Sequence, residues 1–520
     1  MAAITVGQAK ALVRGQHGRQ VHLTGIESIS TPVARALARH KGMLYLDSLT
    51  SLSEGAAAAL SEHKGGLSLK GLKALSPALA SRLSNLKGEL FLNGVTELSM
   101  EAISHLSQLD GSLALDGLKS LADGTLRLLF ANKDWLSLNG LITLPAGAVA
   151  GLKWGGGSLR LNGLTVVADE VLRDLAKVCV ELSLNGLLSL SDAAAEFLSN
   201  GVLEQIDLNG ITTLSEAAAK SLAQNGYFDL NLNGLTSMTD AVAKQFSEFV
   251  GDLSFNGVTF LSEEAIASLA WHRGGLSLGG LSSLSDDGAK HLSRHAGNLF
   301  LNGLLSLSVR ASSHLSWHRD WISLNSLTKL ESAVLANLAS HRGRVSLNGV
   351  TEIPFPAVEC LAYRHGDLDL DGVTSLTQPL AVCLSKLDGR VSLKGLTSLC
   401  RRFAGDLRSH VGDLWLDGLT ELAPEVAEQL SEHKGALGLG GIRSLEQESL
   451  DWLYQHDGKV CLSGLREVSG KLLPWPVGNG SGVISRNYGK CEEEPWQDLV
   501  SAASFQAKCA FSNQALSKRA

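Results

Sequence analysis

Nine histidines recur at one place in a repeating pattern. His40, His63, His272, His295, His318, His341, His410, His433 and His456 each lie eight residues before a slot that is almost always glycine. A row of imidazoles is the raw material of a metal site or a proton relay. No row of carboxylates or thiolates runs beside it, so the pattern argues for a structural part. In the last turn of a short helix, an imidazole can donate to carbonyls left without partners and suits the helix dipole.

Other reactive types point the same way. Cysteines stand at 179, 360, 383, 400, 461, 491 and 509, an odd number with no CxxC pair. That excludes a disulfide framework or zinc module and fits buried thiols in a reducing compartment. GxSxG, GxxxxGK[ST] and HExxH are absent, and the glycine-rich LGLGGIRSL at 437–445 falls inside the repeat. We expect no enzyme, no cofactor and no metal.

The 520 residues carry a net charge of −7, from 45 basic and 52 acidic residues, with no basic block along the chain. Nucleic-acid binding is not expected. No stretch approaches the ~20 apolar residues that span a bilayer, and the first twenty residues lack the apolar centre of a secretion signal. The expectation is a cytoplasmic protein that neither enters nor binds a membrane.

These residues are positioned by a repeat. The glycine slot recurs from Gly25 to Gly464 in twenty units spaced by 23 residues, apart from two steps of 24 between Gly186 and Gly234; Ser48 and Ser326 replace glycine. In the unit beginning at Leu67, Leu67 and Leu69 flank Ser68 with the period of a half-buried strand. Gly71 then turns the chain, which calls for a sharp bend or a positive φ. Ser76 is placed to cap a helix carrying Ala78, Leu79 and Leu83, and Gly88 to end it in the left-handed region. Equivalent caps are expected at Ser30, Ser53, Ser99, Ser191, Ser215, Ser262, Ser285, Ser308 and Ser469, with Thr239 and Thr377. Before the slot stand Asn93, Asn139, Asn162, Asn185 and their counterparts, or Asp at 47, 116, 371 and 417. The favour that Asn-Gly and Asp-Gly find in turns accounts for them.

The segments LSLNGLLSL, LNLNGLTSM and VSLNGVTEI resemble the strand portion of leucine-rich repeats, over roughly residues 20 to 470. Asn directly follows the second strand leucine here, rather than standing three residues after it as in the commonest pattern. The variant looks like repeats of bacterial proteins of unassigned role, so no family site carries over. The resemblance implies an α/β solenoid, a curved right-handed horseshoe with a parallel sheet on its concave face and short helices outside. The expected division is a capping segment over 1–20, the repeats over 21–470 and a cap or loose tail over 471–520. Some similar repeat proteins carry a cysteine-dependent ubiquitin ligase after the repeats. About 50 residues beyond these are too few for such a domain, which sets Cys491 and Cys509 aside as nucleophiles.

The function this implies is partner binding on the sheet, by a protein or peptide; a purely structural assembly element is the alternative. Serine is the common residue between the strand leucines, so exceptions there mark recognition. They are Tyr45, Phe91, Phe300 and Trp415, with Trp135 and Trp321 one position before the first leucine. Glu181, Asp207, Asp229 and Asp252 form an acidic group, with Asp207 and Asp229 the candidates for a basic partner. Arg344, Asp367, Arg390 and Asp413 alternate in sign in one column and should pair laterally.

Overall fold

The computed structural model describes residues 4–15, 20–131, 133–149, 151–153, 156–224, 228–353, 355–472 and 483–484. The sequence expected a short helix after Trp496; this, with Cys491 and Cys509, lies outside the described residues. The chain forms two compact units, residues 1–236 and 237–520.

In the first unit, ten strands from Val21–His22 to Asp229–Asn231 pair in parallel, each with the strand of the next repeat. The register places leucine against leucine, as in Leu44 with Leu67 and Leu67 with Leu90. Ten parallel strands of the second unit, from Leu253–Ser254 to Val460–Cys461, follow the same rule. Most strands hold two residues and most helices seven, such as Glu54–Leu60. Helix Glu216–Gln224, in one of the two 24-residue steps, is longer at nine residues.

Each repeat contributes one layer of core. Leu67, Leu69 and Leu72 are buried from the strand side, and Ala80 and Leu83 from the helix. At roughly 2 kcal/mol for each fully buried leucine, stacking identical layers is the main source of stability. Small alanines such as Ala56 and Ala57 let each helix sit close to its neighbour.

The serine caps form at Ser53, Ser76, Ser99, Ser191, Ser215, Ser262, Ser285 and Ser308, and at Thr239. Ser30 and Thr377 stand at helix starts without a side-chain cap bond. Ser469 opens no helix of its own; its hydroxyl instead accepts from the N–H of Gln447, the first residue of helix Gln447–Leu453 one repeat back, at 2.8 Å. With φ of 47° it makes the turn between the antiparallel strands Glu467–Val468 and Lys471–Leu472. Val483–Ile484 lies antiparallel on Val460–Cys461 and covers the edge of the last parallel strand. At the other end, helix Val6–Gly15 is opened by Thr5, whose hydroxyl accepts from the Gln8 N–H while Gln8 Oε1 accepts from the Thr5 N–H.

The glycine slot has a different cause from the one the sequence implies. Gly25 has φ of 73°, but Gly140 lies outside the left-handed region. A Cβ at Gly140 would stand 1.9 Å from the Asp116 carbonyl oxygen, one repeat back. Close stacking of turn on turn, not φ, excludes a side chain. Gly88 likewise does not end its helix, which closes at Ser84 in the right-handed region. A Cβ there would meet the Gly65 carbonyl oxygen at 2.8 Å.

Candidate functional site

The sheet face is held in register by a side-chain ladder. Asn162 Oδ1 accepts from the Asn185 N–H at 2.8 Å, and Asn185 Oδ1 from the Asn209 N–H at 3.1 Å. Asn302, Asn325 and Asn348 continue the scheme in the second unit, to the N–H groups of Asn325, Asn348 and Asp371. Aspartate substitutes freely because the essential atom is an acceptor: Asp116 takes the Asn139 N–H at 2.9 Å. The asparagine column is thus an inter-repeat ladder, which corrects the turn-chemistry reading. The serines between the leucines belong to it too. Ser183 donates to Asn162 Oδ1 and Ser323 to Asn302 Oδ1. All these serines but half-buried Ser277 are buried, rather than forming an open polar floor.

On this frame the aromatic candidates gather in pairs. In the second unit Phe300 and Trp321 meet edge to face, centroids 4.9 Å apart. The Arg344 guanidinium lies 3.9 Å from the centre of the Trp321 ring. Trp321 Nε1 donates to Ser346 Oγ at 2.9 Å, and Ser346 in turn donates to Asp369. Arg344 closes the circuit on Asp369 at 2.7 Å, and Arg390 approaches the same carboxylate at 3.4 Å. Phe300, Trp321, Arg344 and Asp369 therefore form one connected patch across four strands.

In the first unit Phe91 and Trp135 are 5.5 Å apart, two strands removed from each other, with small, buried Ser112 and Ala114 on the strand between. Arg160 lies 5.4 Å from the Trp135 ring and Lys70 5.7 Å from Phe91. Tyr45 stacks flat on His22 at 4.2 Å. Trp415 lies against Gly438, where a Cβ would come within 2.2 Å of the indole, and Lys394 sits 5.8 Å from its ring. All six aromatics are half-buried by neighbouring strands, not freely exposed.

The acidic candidates are occupied differently. Asp207 accepts from Asn231 Nδ2 at 2.6 Å and from Gln205 Nε2 at 3.1 Å. Asp229 is buried, and Glu181 accepts from Ser158 Oγ. Neutral donors of the sheet hold Asp207 and Glu181, and burial withdraws Asp229 from the surface. No group of three or more metal-ligating side chains is found among the described residues.

The histidines are buried just beyond each helix, in stacks. Ring centroids are 5.5 Å apart for His272 and His295, 6.1 Å for His295 and His318, and 5.7 Å for His410 and His433. Carbonyls of the preceding repeat receive them, rather than their own helix end. His272 Nε2 lies 2.7 Å from the Gly251 oxygen, His341 Nε2 2.9 Å from that of Asp320, and His456 Nε2 2.8 Å from that of Gly435. Burial pushes the pKa of His272 down to about 4 and that of His295 to about 3, the latter aided by its histidine neighbours. His272 and His295 are neutral spacers. Arg364 fills the same position one repeat after His341, donating to the carbonyls of Leu338, His341, Gly343 and Asp367. Burial lowers its pKa to about 10.

Two parts of the patch escape the sequence reading. Asp369 sits where serine is the rule, and its side chain is 3% exposed. The alternating column places Arg344 beside Asp367, yet its short contact is to Asp369; Arg390 approaches Asp367 at 3.6 Å. The cations Lys70, Arg160 and Lys394 are the other omission. Their signal, a charged residue one strand from each aromatic, is visible only once the register is known.

No protein-family model matches the chain, and no curated protein matches it. Among solved structures it is similar to an internalin of Listeria monocytogenes, at 20% identity over 58% of this chain and 82% of that one, with a TM-score of 0.32. A leucine-rich-repeat protein of Leptospira interrogans is similar at 17% identity over 90% of this chain and 99% of that one, TM-score 0.25. A chain of the Toll–Spatzle complex of Drosophila is similar at 16% identity over 86% of this chain and 61% of that one, TM-score 0.43. The fold rests on the chain itself: twenty sequence units, parallel strands paired one repeat apart, a leucine core and an asparagine ladder are the leucine-rich-repeat fold.

Proposed function

We propose that the chain is a non-enzymatic interaction protein that binds a protein or peptide through its sheet face, with the patch of Phe300, Trp321 and Arg344 as the anchor. The observation that carries this reading is the geometry of Trp321. Its ring is half-buried, held by an edge-on phenyl ring, a stacked guanidinium and a hydrogen bond from its own nitrogen. An aromatic fixed in this way loses little side-chain entropy on binding, and Trp and Arg are the types that concentrate interface energy. Phe91 and Trp135 with Arg160 supply a second, similar platform in the first unit. Tyr45, Trp415, Asp207 and Asp229 have parts in the sheet's own packing and hydrogen bonding, and we place them at the margin of recognition.

The five cysteines among the described residues are free thiols, which supports a reducing, cytoplasmic setting. No helix among the described residues is long and apolar enough to cross a membrane. We further read helix Val6–Gly15 and strand Val483–Ile484 as covers for the ends of the repeat array.

The reading is tested by blocking the patch without dismantling it. Asn298 precedes Leu299 as Trp321 precedes Ile322, and these strands pair in register, so Asn298→Arg places bulk beside the indole. A protein retained by the wild-type chain should be lost with Asn298→Arg. It should still be retained by Ser313→Arg, an exposed helix position in the same unit. Equal retention by both variants contradicts the assignment.

A further inference from the structure

Where each helix of the second unit ends, the chain turns back toward the sheet. Trp271, Trp317 and Tyr363 occupy the same place in this turn, each two repeats from the next. They are 75%, 78% and 83% exposed. Arg294 and Lys386 hold that place in repeats adjoining them, while Arg273, Arg319 and Arg342 lie two residues further along the turn. All five cations are exposed, and none enters an ion pair among the described residues. Three carboxylates share the strip: Asp388 is engaged with His365 Nδ1 at 2.8 Å and Asp320 with the Gly297 N–H at 3.0 Å, while exposed Glu248 holds the place of Trp271 one repeat earlier, at the strip's end. A chain with a net charge of −7 thus gathers cations and aromatics along one edge. Linear sequence hides this, because the cations are scattered a repeat apart.

Three partners could use such a strip. Single-stranded nucleic acid stacks successive bases on closely spaced rings, whereas packed helices at ~10 Å put these rings roughly 20 Å apart. A folded protein or peptide concentrates its energy in a closely packed cluster of anchors, and these rings, 75% to 83% exposed, stand singly two repeats apart. A lipid surface requires neither close spacing nor a pocket. Indole and phenol settle at the headgroup level, and Arg and Lys are drawn to anionic lipid.

We propose that this edge of the second unit is a docking surface for an anionic lipid bilayer. Trp271, Trp317 and Tyr363 enter the headgroup layer while Arg273, Arg319 and Arg342 meet lipid phosphates. The contact is peripheral and needs no spanning segment. It is independent of the sheet-face site, so either proposal can fail alone.

The test uses the full chain in flotation with vesicles of phosphatidylcholine mixed with phosphatidylglycerol, and with vesicles of phosphatidylcholine alone. The wild-type chain should float with the anionic vesicles only, and less as salt rises. The variant Arg273→Gln/Arg319→Gln/Arg342→Gln, and separately Trp271→Ser/Trp317→Ser/Tyr363→Ser, should each bind at least roughly tenfold more weakly, since each cation near the surface adds to the attraction. Exposed positions make both variants fold-neutral, and an unchanged melting curve verifies it; the single substitution Trp317→Ser serves if one melts early. No flotation of the wild type, or equal flotation of the variants, overturns the proposal. So does capture of oligodeoxythymidine or poly-glutamate by the strip with no capture of vesicles.

Discussion

The Arg344 guanidinium lies 3.9 Å from the centre of the Trp321 ring and 2.7 Å from the Asp369 carboxylate, so one side chain ties an aromatic surface to a buried charge. The Asp369 side chain is 3% exposed and has Arg390 as its second cation, at 3.4 Å. The patch is therefore rigid because Asp369 holds both guanidinium groups, with Asp367 as the second anion 3.6 Å from Arg390.

Asp369→Ala should consequently destabilise the second unit by about 3 kcal/mol, because it leaves partly buried guanidinium groups without their counter-charge. Asp413→Ala, in the outer column, should cost well under that. Denaturant unfolding of the two variants side by side distinguishes them, and equal losses would contradict a hub at Asp369.

The glycine slot gives a second contrast. Gly140→Ala forces a Cβ toward a backbone oxygen 1.9 Å away, whereas Gly25, at φ 73°, has nothing within 4 Å of its Cβ direction. Gly25→Ala should cost only the ~1 kcal/mol of a left-handed alanine, and Gly140→Ala clearly more. Ser326 shows that a single step can adjust to a side chain. Thermal midpoints check the order; the reverse ranking would restore φ as the reason for the slot.

For the ladder, Asn162→Asp keeps the acceptor for the Asn185 N–H and should change stability little. Asn162→Ala leaves that N–H unsatisfied, at about 1–3 kcal/mol. Comparable losses in both would mean that the side chain acts through something other than acceptance.

The histidine stacks set the response to acid. His272, His341 and His433 have pKa values near 4 and His295 near 3, all depressed first by burial, against an ordinary value of 6.5. A depressed base keeps its full contribution above pH 6.5 and loses it as the pH falls toward the folded pKa, because the unfolded chain takes up protons first. Each drop of two units corresponds to about 3 kcal/mol, so the second unit should weaken steeply between pH 6.5 and 4. Leucine fills this position at Leu387, which makes His295→Leu a conservative change. Melting temperature against pH should have a shallower slope in that variant, and an unchanged slope would remove His295 from the acid response.

Much of this architecture is legible in one dimension. Leu67, Leu69 and Leu83 announce a strand and a helix because their periods are local, although Ala80 rather than the expected Ala78 and Leu79 completes the buried helix face, and the 23-residue interval fixes which strand meets which. What stays hidden is whatever acts across repeats. The oxygen that excludes a side chain at Gly140 belongs to Asp116, and the acceptor for the Asn185 N–H belongs to Asn162. Phe300 could be chosen as a candidate from its departure from serine, and Trp321 as an aromatic one position before the first strand residue. The same rule passed over Asp369, because a buried carboxylate reads as a surface charge until the two arginines beside it are placed.

The most direct test of the sheet-face assignment is retention of a partner by the full chain, compared among wild type, Asn298→Arg and Ser313→Arg at equal folded concentration. The account predicts the same bound protein for wild type and Ser313→Arg and its loss with Asn298→Arg. Undiminished binding by Asn298→Arg, or loss with Ser313→Arg instead, would place the interaction on another surface.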